Sequence, residues 1–179
     1  MYHKQTIVSN DYGEMISNKS VTYKGRFDVE SGYLFWAQRN FVKSFPDVDL
    51  PAEISDDERG KLDKLSHKVF ESTNMLAYRG HDGITPFGLK DIGETLKLGE
   101  RQTRRFVDKM LQLGIMARVF VDCKGKRIMQ FYLNPMYYFS STRLSLNLYL
   151  LFQDQLNEVL PRYVIANFKT MKQQKEFQR

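Results

Sequence analysis

The sequence predicts an α+β protein, in which a mixed core of helices and strands has a β-rich extension before it and helices after it. Apolar residues recur at helical spacing three times between residues 55 and 113, and glycine-containing turns interrupt the pattern. Two runs rich in β-branched and aromatic residues, Ile115–Asp122 and Arg127–Leu133, then enclose a Lys-Gly turn. We therefore expect three segments, which span residues 1–52, 53–135 and 136–179.

Positive charge is concentrated in the central segment. The chain has 27 Lys and Arg residues against 21 Asp and Glu, which is a net charge of +6. Residues 76–135 carry eleven basic and six acidic side chains, whereas residues 1–75 carry ten and twelve. A basic segment favours nucleic acid or another acidic partner, although an ordinary basic protein has the same overall charge.

Cysteine content and hydropathy limit the cellular locations that are expected for the protein. Cys123 is the only cysteine, so an intrachain disulfide is impossible and a reducing, cytoplasmic location is expected. The amino-terminal residues do not have the pattern of a signal peptide. The longest apolar cluster, Leu144–Phe152, is too short to cross a bilayer, so no membrane association is expected.

The amino-terminal segment is predicted to form hairpins. Thr6–Ser9 is expected to pair with Met15–Ser17 across a turn of Asn, Asp and Gly, and Val21–Tyr23 is expected to pair with Arg26–Val29. Aromatic residues are frequent between positions 33 and 45. Packing in a core is their expected role, and stacking on nucleic-acid bases is the alternative.

A first core helix has a clear start at Ser55. Ser55 and Glu58 have the spacing of a capping box, and acidic residues fill the first turn. Apolar residues at helical spacing predict that this helix continues to about Met75. The following Gly80–Gly83 is predicted to be a loop. Its His81 has no second histidine or cysteine at ligand spacing, so no metal site is expected.

Two further helices are predicted to be joined by a tight turn. A short strand at Ile84 and Thr85 precedes them. The second helix has an inward face that consists of Leu89, Ile92 and Leu96, and Leu98-Gly99 forms the turn after it. Gly93 has no side chain, so we expect the third helix to approach the second closely at this position.

The third helix is predicted to run from about Glu100 to Leu113 and to end at Gly114 in a left-handed conformation. Apolar residues and one threonine give it a continuous inward face. The members of this face are Thr103, Phe106, Val107, Met110 and Leu113.

The outward side of the third helix carries Arg101, Gln102, Arg104 and Arg105 in its first half. In helix-turn-helix proteins this part of the second helix contacts base edges in the major groove. Arginine pairs bidentately with guanine there, and glutamine pairs with adenine. The alternative is a solvated charged face without function, but the two-helix turn that precedes it favours contact with DNA.

The hairpin after this helix provides a second candidate contact. Gly125 permits a positive φ at its tip, and Lys124, Lys126 and Arg127 are expected to project from it toward phosphates. Such contacts add salt-dependent affinity and position a protein without reading sequence. Helix, turn, helix and basic hairpin in this order predict a winged helix-turn-helix as the core of the α+β fold.

Residues Leu96–Met116 resemble the winged-helix signature of MarR-type regulators. The matching features are the turn at Leu98, the polar run that starts at Glu100, Val107-Asp108-Lys109, and the exit at Gly114-Ile115. The resemblance implies a recognition helix followed directly by the first strand of the wing.

More distantly, the chain is similar to RepL-type plasmid replication proteins of Gram-positive bacteria and their phage relatives. The similar pieces outside the winged domain are Gly13-Glu14, Asn40-Phe41-Val42-Lys43 and Leu133-Asn134-Pro135. This resemblance implies a phage- or plasmid-type protein in the cytoplasm of a bacterial host cell. It also implies contacts with host replication or transcription proteins.

The carboxyl-terminal segment has a broad apolar helical face that Pro161 is expected to stop or kink. We expect this face to form a homodimer, because a two-fold dimer reads a palindromic site. Packing on the chain's own core is the alternative. The face consists of Leu144, Leu148, Leu151, Phe152, Leu156, Val159 and Leu160.

Catalysis is not expected, because the residue patterns that common active sites need are missing. The three histidines, His3, His67 and His81, do not have the spacing of a nickase metal site. The glycines lack the spacing of a phosphate-binding loop, and no nucleophile lies in a recognisable elbow. No cofactor is expected.

The sequence therefore predicts a protein that binds specific double-stranded DNA as a transcriptional regulator or replication initiator. The alternative is a non-catalytic protein-interaction module, such as a phage-encoded inhibitor or adaptor, that reuses the same fold.

Overall fold

The computed structural model divides the chain into two compact units, Met1–Gln38 and Arg39–Arg179. The predicted segment boundaries at residues 52 and 135 remain predictions. The structure describes residues 2–9, 15–23, 27–28, 32–33, 42–45, 48–70, 73–81, 83–123, 125–141 and 143–177. The two predicted amino-terminal turns, most of the aromatic cluster, and Lys124 lie outside these residues.

The first unit contains two antiparallel strand pairs. β1 (Tyr2–Ser9) pairs with β2 (Met15–Tyr23), and β3 (Phe27–Asp28) pairs with β4 (Gly32–Tyr33). The β1–β2 register contains the first predicted hairpin, with Val8 opposite Ser17 and Ser9 opposite Met15, and it continues as far as Tyr2 opposite Tyr23. This prediction is confirmed.

The predicted pairing of Val21–Tyr23 with Arg26–Val29 is wrong. Val21 lies opposite Lys4 in the β1–β2 ladder, and Phe27 lies opposite Tyr33. The ladder with β1 is much longer than a hairpin around residues 24 and 25 would be. It therefore pairs more of the backbone N–H and C=O groups.

The second unit begins with α1 (Asp56–Ser66), whose start is the predicted capping box. Ser55 Oγ accepts a hydrogen bond from the Glu58 backbone N–H at 3.3 Å, and Glu58 Oε2 accepts one from the Ser55 backbone N–H at 2.9 Å. Two of the N–H groups that a helix start leaves unpaired are therefore satisfied.

The predicted end of α1 near Met75 is wrong, because the helix ends at Ser66. Val69 forms an antiparallel bridge to Leu76, and the Phe70 N–H donates to the Met75 carbonyl at 2.7 Å. Asn74 takes a left-handed conformation, with φ of 56°, where the chain reverses. Val69 and Leu76 are buried in the same core as the apolar face of α1. Both positions are therefore apolar, and their spacing happens to match that of a longer helix.

The remaining elements follow in the predicted order of strand, two helices and hairpin. β5 and β6 pair with each other, and so do β7 and β8, so the α+β class is confirmed. Ile84 and Thr85 lie in a strand, as predicted, and His81 lies in the turn before it. The bounds are β5 (Ala77–Gly80), β6 (Gly83–Pro86), α2 (Leu89–Leu96), α3 (Glu100–Gln112), β7 (Met116–Cys123) and β8 (Lys126–Leu133).

The segment just before β5 lies beside β8 and pairs with it through backbone hydrogen bonds. Met75 forms an antiparallel bridge to Tyr132, and the Leu76 N–H donates to the Phe131 carbonyl at 2.8 Å. The sequence pointed to Ile84 and Thr85 as the strand of this region, but these residues pair with β5. The β5–β6 hairpin is therefore an additional element before α2.

Helices α2 and α3 approach each other closely at Gly93, as predicted. A Cβ atom at Gly93 would lie 2.8 Å from Thr103 Oγ1 and 3.2 Å from the Leu98 carbonyl oxygen. Lys97 takes the left-handed conformation that ends α2, with φ of 56°. Gly114 has φ of 66° directly after α3, which confirms the predicted helix end.

One apolar core joins the three helices to the base of the hairpin. The inward residues Phe106, Val107 and Met110 of α3 are buried in it, and Leu113 is half-buried against it. Most of the buried residues of this core belong to α1, α2, α3 and the β7–β8 hairpin. Other fully buried members are Leu62, Leu65, Leu76, Ile92, Ile115, Phe131 and Leu133.

A buried asparagine connects the base of the hairpin to the chain that follows it. The Asn74 amide nitrogen donates to the carbonyls of Leu133 and Tyr138, at 3.0 and 2.6 Å. Its Oδ1 accepts from the backbone N–H and the hydroxyl of Ser140, both at 3.0 Å. Because every polar atom of this side chain has a partner, its full burial carries no unpaired group.

The carboxyl-terminal helices are α4 (Leu146–Leu151), α5 (Gln153–Val159) and α6 (Arg162–Phe177). Pro161 separates α5 from α6, so the predicted stop at this proline is confirmed. Leu148, Phe152 and Leu156 are buried in a second core, against which Ala117 and Tyr132 of the hairpin pack. These apolar residues therefore pack on the chain's own hairpin, which was the alternative to dimerisation. A homodimer remains a prediction.

Within the described residues, no helix is both long enough and apolar enough to span a membrane.

Candidate nucleic-acid interface

Helix α3 is divided sharply into a buried side and a basic exposed side. Thr103, Phe106 and Val107 are at most 6% exposed. The four residues predicted to contact DNA, Arg101, Gln102, Arg104 and Arg105, are all exposed and lie in the first two turns. A 3.6-residue period places the two sets on opposite sides of one helix.

The orientation of α3 is secured by a partly buried contact with α1. Lys109 Nζ lies 2.7 Å from Glu58 Oε2 and donates to the Glu53 carbonyl at 2.7 Å. Burial raises the pKa of Glu58, but hydrogen bonds from Lys109 and Ser55 outweigh it, and the pKa is lowered overall. Glu58 therefore both caps the start of α1 and holds α3 in position through Lys109.

The four candidate side chains on α3 differ in their partners. Arg104 pairs with Glu100 one turn earlier, with Arg104 Nη2 2.7 Å from Glu100 Oε1, and both side chains are exposed. Within the described part of the chain, the side chains of Arg101, Gln102 and Arg105 form no hydrogen bond or ion pair. These three can therefore accept a ligand without first breaking a contact.

The hairpin tip has the predicted positive φ at Gly125, which is 74°. Cys123 lies opposite Lys126, so the strands extend one residue further toward the tip than predicted. A positive φ at this place suits the twist of a tight hairpin. Lys126 and Arg127 are exposed. The third predicted contact of the tip, Lys124, lies outside the described residues.

A cluster of two arginines and one phenylalanine occupies one face of the hairpin. The Arg127 guanidinium carbon lies 4.5 Å from the centroid of the Phe120 ring, and that of Arg118 lies 5.8 Å from the same centroid. Phe120 is 48% exposed. We refer to Arg118, Phe120 and Arg127 as the arginine–phenylalanine cluster.

Sequence reasoning missed Arg118 and Phe120 as functional candidates. The signal that identifies them is the two-residue alternation of a strand combined with the register of the hairpin. Arg118, Phe120 and Asp122 share one face, and Arg127 lies opposite Asp122. With a two-residue turn assumed at Lys124-Gly125, this register can be deduced from the sequence.

The candidate residues form two groups on one rigid framework. Among the described residues, no hydrogen bond or ion pair joins the exposed side of α3 to the hairpin tip. The connection between them is the core, where Phe106 and Met110 of α3 and Met116 and Phe131 of the hairpin are buried in one cluster. The helix and the base of the hairpin therefore have a fixed relation.

A shallow cleft of about 530 Å³ separates the end of α3 and β7 from α4 and α5. Leu111, Gly114, Arg118 and Asp154 are among its lining residues. Within the described ranges, no group of three or more His, Cys, Asp or Glu side chains has the arrangement of a metal site. His81 is exposed in its turn.

Comparisons of the chain with known protein families, with curated proteins and with solved structures found no match.

Proposed function

We propose that residues 53–135 form a winged helix-turn-helix that binds double-stranded DNA, with α3 in the major groove and the β7–β8 hairpin on the phosphate backbone. The observation that carries this proposal is the division of α3 into a buried apolar side and an exposed side with three arginines and a glutamine. A helix that is fixed in a core on one side and basic on the other fits the major groove.

The side chains on the exposed side have the chemistry of base recognition. Arginine forms two parallel hydrogen bonds with guanine, and glutamine does so with adenine. Arg101 and Gln102 have no partner within the described residues, so their donors are free for such contacts. Arg104 has Glu100 as a partner, but an exposed ion pair of this kind contributes little stability and is easily exchanged.

The hairpin supports the proposal through its charge and its position. Lys126 and Arg127 are exposed beside the turn, and neutralisation of phosphates by such residues adds affinity that falls steeply with salt. The fixed relation of α3 and the hairpin base favours simultaneous contact with the groove and with the adjacent backbone.

A homodimer and a role as transcriptional regulator or replication initiator are part of the same proposal. The apolar residues of α4 and α5 are largely covered within the chain. A second copy would therefore contact the exposed apolar residues that remain, of which Val159 is 49% and Tyr163 70% exposed. A palindromic target would indicate a two-fold dimer, and tandem direct repeats would indicate an origin.

The test is the affinity of the protein for labelled duplex DNA over a series of salt concentrations. The double variant Arg101→Ala, Arg104→Ala is expected to bind at least tenfold more weakly, because each lost base contact costs about 1–3 kcal/mol. The matched control Lys64→Ala, Lys68→Ala removes the same charge from exposed positions at and after α1. Unchanged binding by the first variant would show that α3 is not the recognition helix.

The second candidate function is a protein-interaction module, which the β5–β6 hairpin favours. Tyr78 is 48% and Ile84 49% exposed on this element, and exposed apolar side chains of this size are common in protein interfaces. Absence of duplex binding at low salt, together with capture of a protein partner that Tyr78→Ser abolishes, would favour this candidate.

A further inference from the structure

The arginine–phenylalanine cluster combines two cations with an exposed aromatic ring on a hairpin that projects from the core. The guanidinium groups of Arg118 and Arg127 both lie within 6 Å of the centroid of the Phe120 ring. Attraction between a cation and an aromatic ring at such distances is favourable even at exposed sites. Phe120 therefore brings two side chains from different strands toward one point.

Both arginines have carboxylates near them but form no ion pair with these groups. Asp122 is the cross-strand neighbour of Arg127, and Asp154 lines the same cleft as Arg118. Among the described residues, neither guanidinium has a hydrogen bond or a salt bridge, and both side chains belong to exposed residues. Within the part of the chain that the structure describes, the cluster therefore has two cations without an ion-pair partner.

We infer that Arg118 joins Arg127 in one phosphate-binding site, which Phe120 positions, and that this site extends the proposed DNA contact from the hairpin tip along the strand. The inference rests on the proposed function. A guanidinium has five N–H donors in one plane. The contact with the ring uses none of these donors in a hydrogen bond, so they are available for two phosphate oxygens.

Phe120 is a positioning residue in this account, and Arg118 and Arg127 contact the ligand. Without the ring, the two long side chains would sample many rotamers and would lose conformational freedom on binding. The alternative role for Phe120 is simple stabilisation of the hairpin, and that role would change protein stability and not the affinity of the folded protein for duplex DNA.

The test compares single variants in binding to a labelled duplex of mixed sequence over a series of KCl concentrations. Arg118→Ala and Arg127→Ala are each expected to reduce the slope of log affinity against log salt by about 0.9, the value for one lost phosphate contact. Lys64→Ala, an equal change of charge on α1, is expected to leave the slope unchanged.

Phe120 is tested with two substitutions that separate its ring from its apolar volume. Phe120→Leu is expected to weaken binding about two- to fivefold, which corresponds to the loss of a weak cation–ring contact. Phe120→Tyr keeps the ring and is expected to bind as the wild type does. Thermal unfolding of each variant shows whether the hairpin and its core are intact.

Three outcomes overturn the inference in distinguishable ways. A wild-type slope for Arg118→Ala, together with loss of binding by Arg101→Ala, Arg104→Ala, overturns the phosphate contact of Arg118 and leaves the proposed function in place. Equal affinity of Phe120→Leu and the wild type overturns the positioning role of the ring. Absence of duplex binding by the wild type at low salt overturns both the proposed function and this inference.

Discussion

Replacement of Gly93 by alanine tests the close packing of α2 on α3. A Cβ atom at this position would lie 2.8 Å from Thr103 Oγ1 and 3.2 Å from the Leu98 carbonyl oxygen. Thr103 is only 1% exposed and its hydroxyl donates to the Gly99 carbonyl, so it cannot move away freely. The Leu98 carbonyl belongs to the turn between the helices, and its displacement would shift α3.

The magnitude follows from a comparison with a glycine in α1. Alanine in place of glycine inside a helix stabilises by about 0.5–1 kcal/mol when nothing else changes. Gly60 is exposed and has no atom within 4 Å of a Cβ, so Gly60→Ala should show this gain. Gly93→Ala should have the same gain in stability, but the added Cβ atom overpacks the contact with α3, which costs about 1–3 kcal/mol. The two variants should therefore differ by about 1–3 kcal/mol in free energy of unfolding.

Urea unfolding followed by circular dichroism measures this difference directly. Gly93→Ala is expected to unfold at lower urea than Gly60→Ala with a similar dependence on urea concentration. In a Thr103→Ala background, the cost at Gly93 should shrink, because the closer of the two atoms is then absent. Equal stability of the two alanine variants in the wild-type background would refute the packing of α2 against α3 at Gly93.

Three further predictions concern the supports of the same core. Asn74→Ala should destabilise by about 3 kcal/mol or more, since it removes the partners of one buried and two part-buried backbone groups. Exposed Asn167→Ala is the control in thermal unfolding, and equal melting temperatures would contradict the role of Asn74. Because the pKa of Glu58 is lowered in the folded protein, the stability it contributes is present above its unfolded pKa and is lost as pH falls from that value through the folded one. Lys109→Met should reduce this loss of stability at low pH. A pH–stability profile identical to that of the wild type would count against the Glu58–Lys109 contact. Ser55→Ala should cost about 1 kcal/mol in denaturant unfolding, whereas Ser55→Asp, which keeps an acceptor, should remain near the wild type; a neutral alanine variant would remove the capping box from the account.

The elements from Ser55 to Leu133 are largely predictable from local signals. The capping box, the inward face of α3 and the left-handed Gly114 each depend on residues that are near one another in sequence. The same holds for the exposed positions of Arg101 and Gln102, because the buried face of a helix determines its exposed face.

Features that depend on long-range pairing were not predictable in the same way. Val69 and Leu76 have helical spacing, but they face each other across a chain reversal that the left-handed Asn74 permits. Burial and not helical structure produced their pattern. The partner of Met75 is Tyr132, and no local pattern identifies a bridge across that distance in sequence.

The packing of the carboxyl-terminal helices shows the same limit. An apolar helical face requires a partner, but its sequence does not say whether that partner is the same chain or a second copy. The structure places Leu148 and Phe152 in a core to which Tyr132 of the hairpin contributes. The arginine–phenylalanine cluster is intermediate in predictability, because the register of one hairpin is enough to place its three residues on one face.

Selection of bound sites from a random pool of duplex DNA tests the central claim most directly. Wild-type protein is expected to enrich one motif, in which Arg101→Ala relaxes the preference at a guanine and Gln102→Ala relaxes the preference at an adenine. The Lys64→Ala control is expected to enrich the wild-type motif. A pool that wild-type protein leaves unenriched at every salt concentration, or a motif that persists unchanged in both α3 variants, would contradict sequence-specific recognition by α3.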